Sequence, residues 1–167
     1  PLINGIISKG GGPNVVIDNT IVDNITANTA TGLTYTINSG LSINNSSGWT
    51  VNNPTPRTLY WVGNGGFWDD ASHWSLSSNG TPGECPPTPL DDVFFDANSF
   101  TMAGQIVQVR KYDAFCRDMN WTGVSNNPTF FAFNYAYRLN SFGDFILSPD
   151  MTFNYFGDII FRADHPT

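Results

Sequence analysis

Short runs of alternating apolar and polar residues recur along this chain, each closed by a cluster of Gly, Asn, Ser or Pro. In the first third the runs are Val15-Val16-Ile17, Ile21-Val22 with Ile25, Leu33 to Ile37, and Leu41-Ser42-Ile43. A period of two predicts strands with one buried face. The breaks at Gly10 to Pro13, Asn38-Ser39-Gly40 and Asn44 to Gly48 are turn clusters with access to positive φ. Pro54-Thr55-Pro56 ends the segment, because closely spaced prolines cannot continue a central ladder. Residues 1–57 therefore read as the end of one module.

Residues 101–167 carry a repeat. Ile106 to Arg110, Thr129 to Phe133 and Met151 to Tyr155 align. Within them Val109, Phe130 and Met151 recur with a period of about 21 residues, in the range of known solenoid repeats. A second, offset series runs through Arg117 to Trp121, Arg138 to Phe142 and Ile159 to Arg162. Turn residues fall between the members. Short strands at such a period predict a parallel β-solenoid, with one rung per period. A single rung cannot bury its inward side chains, whereas stacked rungs give a continuous core. The alternative all-β architecture is a pair of tandem β-sandwiches. The Cys, Trp, Cys order of an immunoglobulin-type sandwich is absent, since Trp121 follows both Cys85 and Cys116.

Between these parts, residues 58–100 hold Tyr60, Trp61, Phe67, Trp68 and Trp74 among glycines, then a proline-rich stretch from Pro82 to Pro89. This segment is expected to be an aromatic-rich cap or linker with little regular structure. A solenoid end exposes bare sheet edges, so a cap is needed.

Composition sharpens the fold class. The chain has 167 residues, 40% of them hydrophobic, which argues against disorder. Glu84 is the only glutamate, and Lys9 and Lys111 are the only lysines, so the best helix formers are scarce. The formal net charge of −7 leaves nothing to neutralise phosphates, which argues against nucleic acid. An acidic, lysine-poor surface suits an extracellular protein. No stretch approaches the ~20 apolar residues of a membrane-spanning helix, and no signal peptide is present. The chain opens within strand-like sequence and is expected to be a piece of something longer. Cys85 and Cys116 are candidates for a disulfide, with two free thiols as the alternative.

Two strings are distinctive. One is Tyr60-Trp61-Val62-Gly63-Asn64-Gly65-Gly66-Phe67-Trp68-Asp69-Asp70-Ala71-Ser72-His73-Trp74-Ser75, and the other runs from Pro87 through Asp91-Asp92-Val93-Phe94-Phe95-Asp96 to Phe100. Together they resemble modules of very large secreted surface proteins of Bacteroidetes bacteria, including gliding-motility adhesins exported by the type IX secretion system. Cys116 to Gly123 is similar to the first rung after this string in such modules, and Asn38 to Trp49 is similar to the closing rung of the module before. The resemblance implies a cell-surface location, a structural or adhesive role and partners in outer-membrane secretion or motility machinery. It supplies no ligand.

Candidate chemistry is sparse. Asp91, Asp92 and Asp96 form a carboxylate cluster that could hold Ca²⁺, with help from Asp69 or Asp70. The alternative is turn aspartates bonding their own backbone. Trp61, Trp68 and Trp74 offer a platform for stacking a surface polysaccharide; buried cap residues are the competing reading. Asp144, Asp150 and Asp158 are the nearest candidates for the paired carboxylates of a β-helix polysaccharide hydrolase or lyase, but each sits beside Gly or Pro in a turn. His73 lies near Ser72 and Asp70, and His165 near the end, without a nucleophile elbow. The chain is therefore expected not to be an enzyme.

Overall fold

The structure, a computed structural model, describes residues 5–18, 20–38, 41–43, 46–52, 55–110 and 113–162. It is all-β: parallel strands stack coil upon coil into a β-solenoid. The chain divides into two compact units, with the division between Thr55 and Pro56.

The first unit contains β1 (Gly5–Ile7), β2 (Val15–Asp18), β3 (Ile21–Asp23), β4 (Ile25–Ala27), β5 (Tyr35–Asn38), β6 (Leu41–Ile43) and β7 (Thr50–Asn52). β1 pairs β4, β2 pairs β5 and β3 pairs β6, all parallel. The register is even: Gly5 stands opposite Ile25, Val15 opposite Tyr35 and Ile21 opposite Leu41. Each coil thus contributes one strand to each of three faces. β7 adds to β5 after a shorter step, with Val51 opposite Ile37. Val22, Ala27, Tyr35 and Ile37 form the buried interior. Outside, Asp18, Asn38 and Asn52 stand in register and bond in a ladder: Asn38 donates to Asp18 Oδ1 at 2.9 Å, and Asn52 to Asn38 Oδ1 at 2.6 Å. Stacked coils place like residues side by side, which is what an Asn ladder requires.

The second unit runs from β8 (Thr58–Trp61) and β9 (Gly66–Phe67) through β10 (Trp74–Ser75), β11 (Asp92–Phe94) and β12 (Ile106–Gln108). It continues with β13 (Ala114–Cys116), β14 (Met119–Asn120), β15 (Thr129–Ala132), β16 (Arg138–Ser141), β17 (Phe145–Ile146), β18 (Thr152–Tyr155) and β19 (Asp158–Phe161). Three sheets result, ordered β10-β8-β11-β14-β17, β9-β12-β15-β18 and β13-β16-β19. Every pairing is parallel except β10 on β8, where Trp74 faces Trp61 antiparallel. β10 therefore crosses the edge of the first sheet as a terminal strand.

The coils are uneven. The first sheet steps from Val93 to Met119 to Phe145, and the second from Val107 to Phe130 to Phe153. The third steps from Ala114 to Leu139 and then, over a shorter stretch of chain, to Ile159. This corrects the expected core file. Phe130 sits between Val107 and Phe153, not between Val109 and Met151, although Val109 and Met151 are also buried. Turns of different length separate the faces, so a fixed spacing slips against the true register. Asn126 and Asn127 make one such turn with consecutive positive φ of 71° and 44°, a conformation Asn tolerates better than most residues.

The segment 58–100 is part of the stack. β8 and β11 are neighbouring strands of the first sheet, joined through Leu59 and Val93. What distinguishes the segment is an excursion after β9: a short 3-10 turn at Ala71–His73, then β10, then the proline-rich stretch that returns to β11. Its aromatic rings fill the interior. Trp61, Phe95 and Trp121 form a buried column across three coils, with centroids 5.8 Å and then 3.6 Å apart. Burying rings of this size is the main stabilising term available to such a narrow core.

Candidate functional site

The three tryptophans do not form a surface platform. Trp61, Trp68 and Trp74 are 0%, 3% and 0% exposed. Trp61 and Trp68 each meet Trp74 edge-on, at 5.1 Å and 4.9 Å. The Trp74 indole donates to Trp68 O at 2.8 Å, and the Trp61 indole donates to Asn64 O at 2.5 Å. No ring face is left for a sugar, so the glycan reading of these residues is corrected: they are interior packing. The local chain path places them there. The His73 ring lies flat on Trp61, with centroids 4.7 Å apart, and its Nδ1 sits 2.9 Å from Val62 O. Gly66 passes directly beneath that ring, where a Cβ would overlap it.

The carboxylates are also committed. Asp91 is 1% exposed, and its two oxygens accept five hydrogen bonds. Arg57 supplies three of them, from its backbone N–H (2.9 Å), Nε (3.1 Å) and Nη2 (2.7 Å). Thr88 supplies the others through its N–H (2.7 Å) and hydroxyl (2.8 Å). Asp92 is held in a bidentate pair by Arg117, whose Nε donates at 2.6 Å and whose Nη2 donates to the other oxygen. That pairing raises the Arg117 pKa above its ordinary value. Asp96 accepts from the Asn98 N–H at 2.9 Å in its own turn. The expected Ca²⁺ cluster is thus corrected. Two of its three members are neutralised by guanidinium groups, and the third caps a turn. Among the described residues, no group of three or more His, Cys, Asp or Glu is placed to hold a metal ion.

Asp69 and Asp70 do not join the cluster. Asp69 pairs with Arg110 at 3.1 Å, and the Arg110 guanidinium lies 3.2 Å from the Phe67 ring centroid. Asp70 caps the 3-10 turn. The backbone N–H of Ser72, followed by its hydroxyl, holds the Asp70 carboxylate below the usual range. Ser72 thus bonds Asp70 while His73 faces Val62, so the three do not make a relay. His165 lies outside the described residues.

Of the hydrolase candidates, Asp150 lines an open groove of about 540 Å³ with Val124, Ser125, Asn126, Asn127 and Pro149. Neither Asp144 nor Asp158 lines it. Asp158 faces outward toward Arg138, 4.0 Å away, and the Asp144 backbone N–H bonds Asp118. The groove holds a single carboxylate, where acid–base cleavage of a glycosidic bond needs two.

The cysteines are unbonded. Cys85 is exposed, while Cys116 is buried in β13. The disulfide is corrected accordingly: Cys116 points into the interior and Cys85 lies on the outer return loop. Burial pushes the Cys116 thiol up to about 12.

Sequence reasoning missed Arg57 and Arg117, the residues that close the carboxylates. No local signal points to them: Arg57 lies 34 residues from Asp91 and Arg117 25 from Asp92 along the chain. Comparison with family models, curated proteins and solved structures finds no match for this chain.

Proposed function

We propose that the chain is a structural segment of a large secreted cell-surface protein, serving to extend or display adhesive parts, and not an enzyme. Its resemblance to Bacteroidetes surface modules makes type IX secretion the export route and outer-membrane secretion or motility machinery the partner class, with gliding motility as the setting. The observation that carries this reading is the use of the chemically able side chains. The tryptophans, the paired aspartates and His73 are all spent on interior packing and on pairing within the chain. What is left is, in the first unit, a ladder of Asp18, Asn38 and Asn52 and, in the second, an aromatic column, each running through successive coils, an architecture suited to length and stiffness. No described helix is long and apolar enough to cross a membrane.

Stretching tandem fusions of the chain by single-molecule force spectroscopy tests the structural role. Discrete unfolding peaks, each releasing the length of residues 56–162, are expected. A smooth extension without peaks would remove the mechanical reading. Antibody against the chain should label intact cells of its source; labelling only after permeabilisation would remove the surface reading.

A further inference from the structure

The first sheet of the second unit begins with a strand that readily recruits others. β8 and the two residues after it read Thr58-Leu59-Tyr60-Trp61-Val62-Gly63, apolar and aromatic, with no charge and no proline. Such a segment adds strands when it lies at an open sheet edge. β10 lies on the edge side of β8, where Trp74 pairs with Trp61 and Ser75 with Tyr60. Covering one strand with another moves the edge outward without removing it. Here the new edge is closed as well. The Trp74 N–H donates to Ala71 O in the 3-10 turn, and Trp74 O accepts from the Gly83 and Glu84 N–H groups, each at 3.1 Å. Trp74 therefore has no backbone group left for a further strand.

The groups that close this edge belong to the proline-rich return, residues 82–91. Pro82, Pro86, Pro87 and Pro89 carry no N–H, so the return offers few donors of its own to another strand. One end of it is fixed on Trp74 and the other on Arg57, the residue before β8. Besides its bonds to Asp91, the Arg57 guanidinium reaches Cys85 O and Pro86 O, each at 3.4 Å, and the Glu84 carboxylate at 3.6 Å. Asp91 in turn accepts from the Thr88 N–H and hydroxyl. One cation thus gathers the return at Glu84 to Pro86, at Asp91 and, through Asp91, at Thr88. We propose that this return is a strap, latched by Arg57 and Asp91, that keeps the first sheet from pairing edge to edge with a second copy of the chain. Two like edges meet antiparallel about a two-fold axis, so each copy is a ready partner for the other once the strap is off. The inference does not rest on the surface role proposed above.

Asp91→Ala in the 167-residue chain removes the latch and tests it. By hydrogen exchange, the Gly83 and Glu84 amides should exchange at least about tenfold faster than in the parent, while those of β14 and β15 keep their protection. By sedimentation over a wide concentration range, Asp91→Ala should associate at concentrations at least about tenfold below any at which the parent does. Phe95→Ala weakens the interior with the latch intact, so below its melting temperature it should behave as the parent. Adding Leu76→Lys to Asp91→Ala places a charge at an exposed position directly after β10 and should reverse the association. Far-UV circular dichroism checks folding; if Asp91→Ala does not fold, Thr88→Ala, which removes one hydroxyl bond to Asp91, carries the test with the same pattern. Unchanged exchange at Gly83 and Glu84, faster exchange without association, association that Leu76→Lys does not reduce, or equal association by Phe95→Ala would each overturn the proposal.

Discussion

The Phe95 ring lies flat on the Trp121 indole, with centroids 3.6 Å apart and planes 5° from parallel. The two residues belong to neighbouring coils, both are fully buried, and Trp61 extends the column on the far side of Phe95. The contact ties three coils at one point. Phe95→Ala should lower stability by about 3–5 kcal/mol, the range for emptying a buried aromatic site. Thr122→Ala, one residue from Trp121 on the exposed turn, should change it by less than about 0.5 kcal/mol. Urea unfolding followed by circular dichroism measures both. Equal effects would mean that the column is not where the stability lies.

Asp91 and Arg57 give a second prediction. The Asp91 side chain is buried, and the Arg57 side chain is 24% exposed. Asp91→Ala removes the buried carboxylate that Arg57 and Thr88 share, leaving Arg57 only Glu84 at 3.6 Å and two loop carbonyls at 3.4 Å. Breaking a buried pair costs about 3–5 kcal/mol; partial access of Arg57 to water puts this case at the lower end, about 3 kcal/mol. In the double variant Arg57→Met with Asp91→Leu the lone charge is gone, so part of the loss should return. A double-mutant cycle by chemical denaturation reads the coupling. Strict additivity would show that the pair is a bystander.

Calcium follows from the same bonds. Asp91 and Asp92 already accept from Arg57 and Arg117, so a cation would have to displace a guanidinium at each. Melting in excess CaCl₂ and in EDTA should give the same midpoint. A clear rise with Ca²⁺ that vanishes in Asp92→Asn would restore the cluster as a metal site.

Much of the architecture was legible because strand alternation and turn clusters are local signals. The stretches Ile106 to Arg110, Thr129 to Phe133 and Arg138 to Phe142 contain β12, β15 and β16, and Ile159 to Arg162 covers all of β19 but its first residue. Register was not legible. Arg117 to Trp121 aligns by spacing with the last two of these, yet it contains β14 of a different sheet, and their true neighbour is β13. Coil steps that differ from sheet to sheet, and within the third sheet, defeat a fixed period. The site suffered from the same blindness to distance. Asp91 and Asp92 look like a pair because they adjoin in sequence, but their partners Arg57 and Arg117 arrive only when coils stack. For the tryptophans, aromatic richness fitted both a sugar platform and a packed interior; only their burial separates the two.

The thiols supply the pH prediction. In the folded chain Cys85 is exposed and Cys116 is buried, so a thiol reagent should modify one group quickly and the second only after denaturation. Dithiothreitol should leave the melting midpoint unchanged. Burial raises the Cys116 pKa from 9.0 to about 12 in the folded state. Below pH 9 the thiol is protonated in both states, and its contribution to stability is fully present. Between 9 and 12 the unfolded chain releases the proton while the folded chain keeps it, so stability falls as pH rises, by about 1 kcal/mol per unit. Cys116→Ala should remove that part of the alkaline slope, and Cys85→Ala should not. Because other groups titrate in the same window, the difference between the two variants is the measurement. If both variants kept the parent's slope, the Cys116 thiol would not be held in the dry interior that β13 gives it.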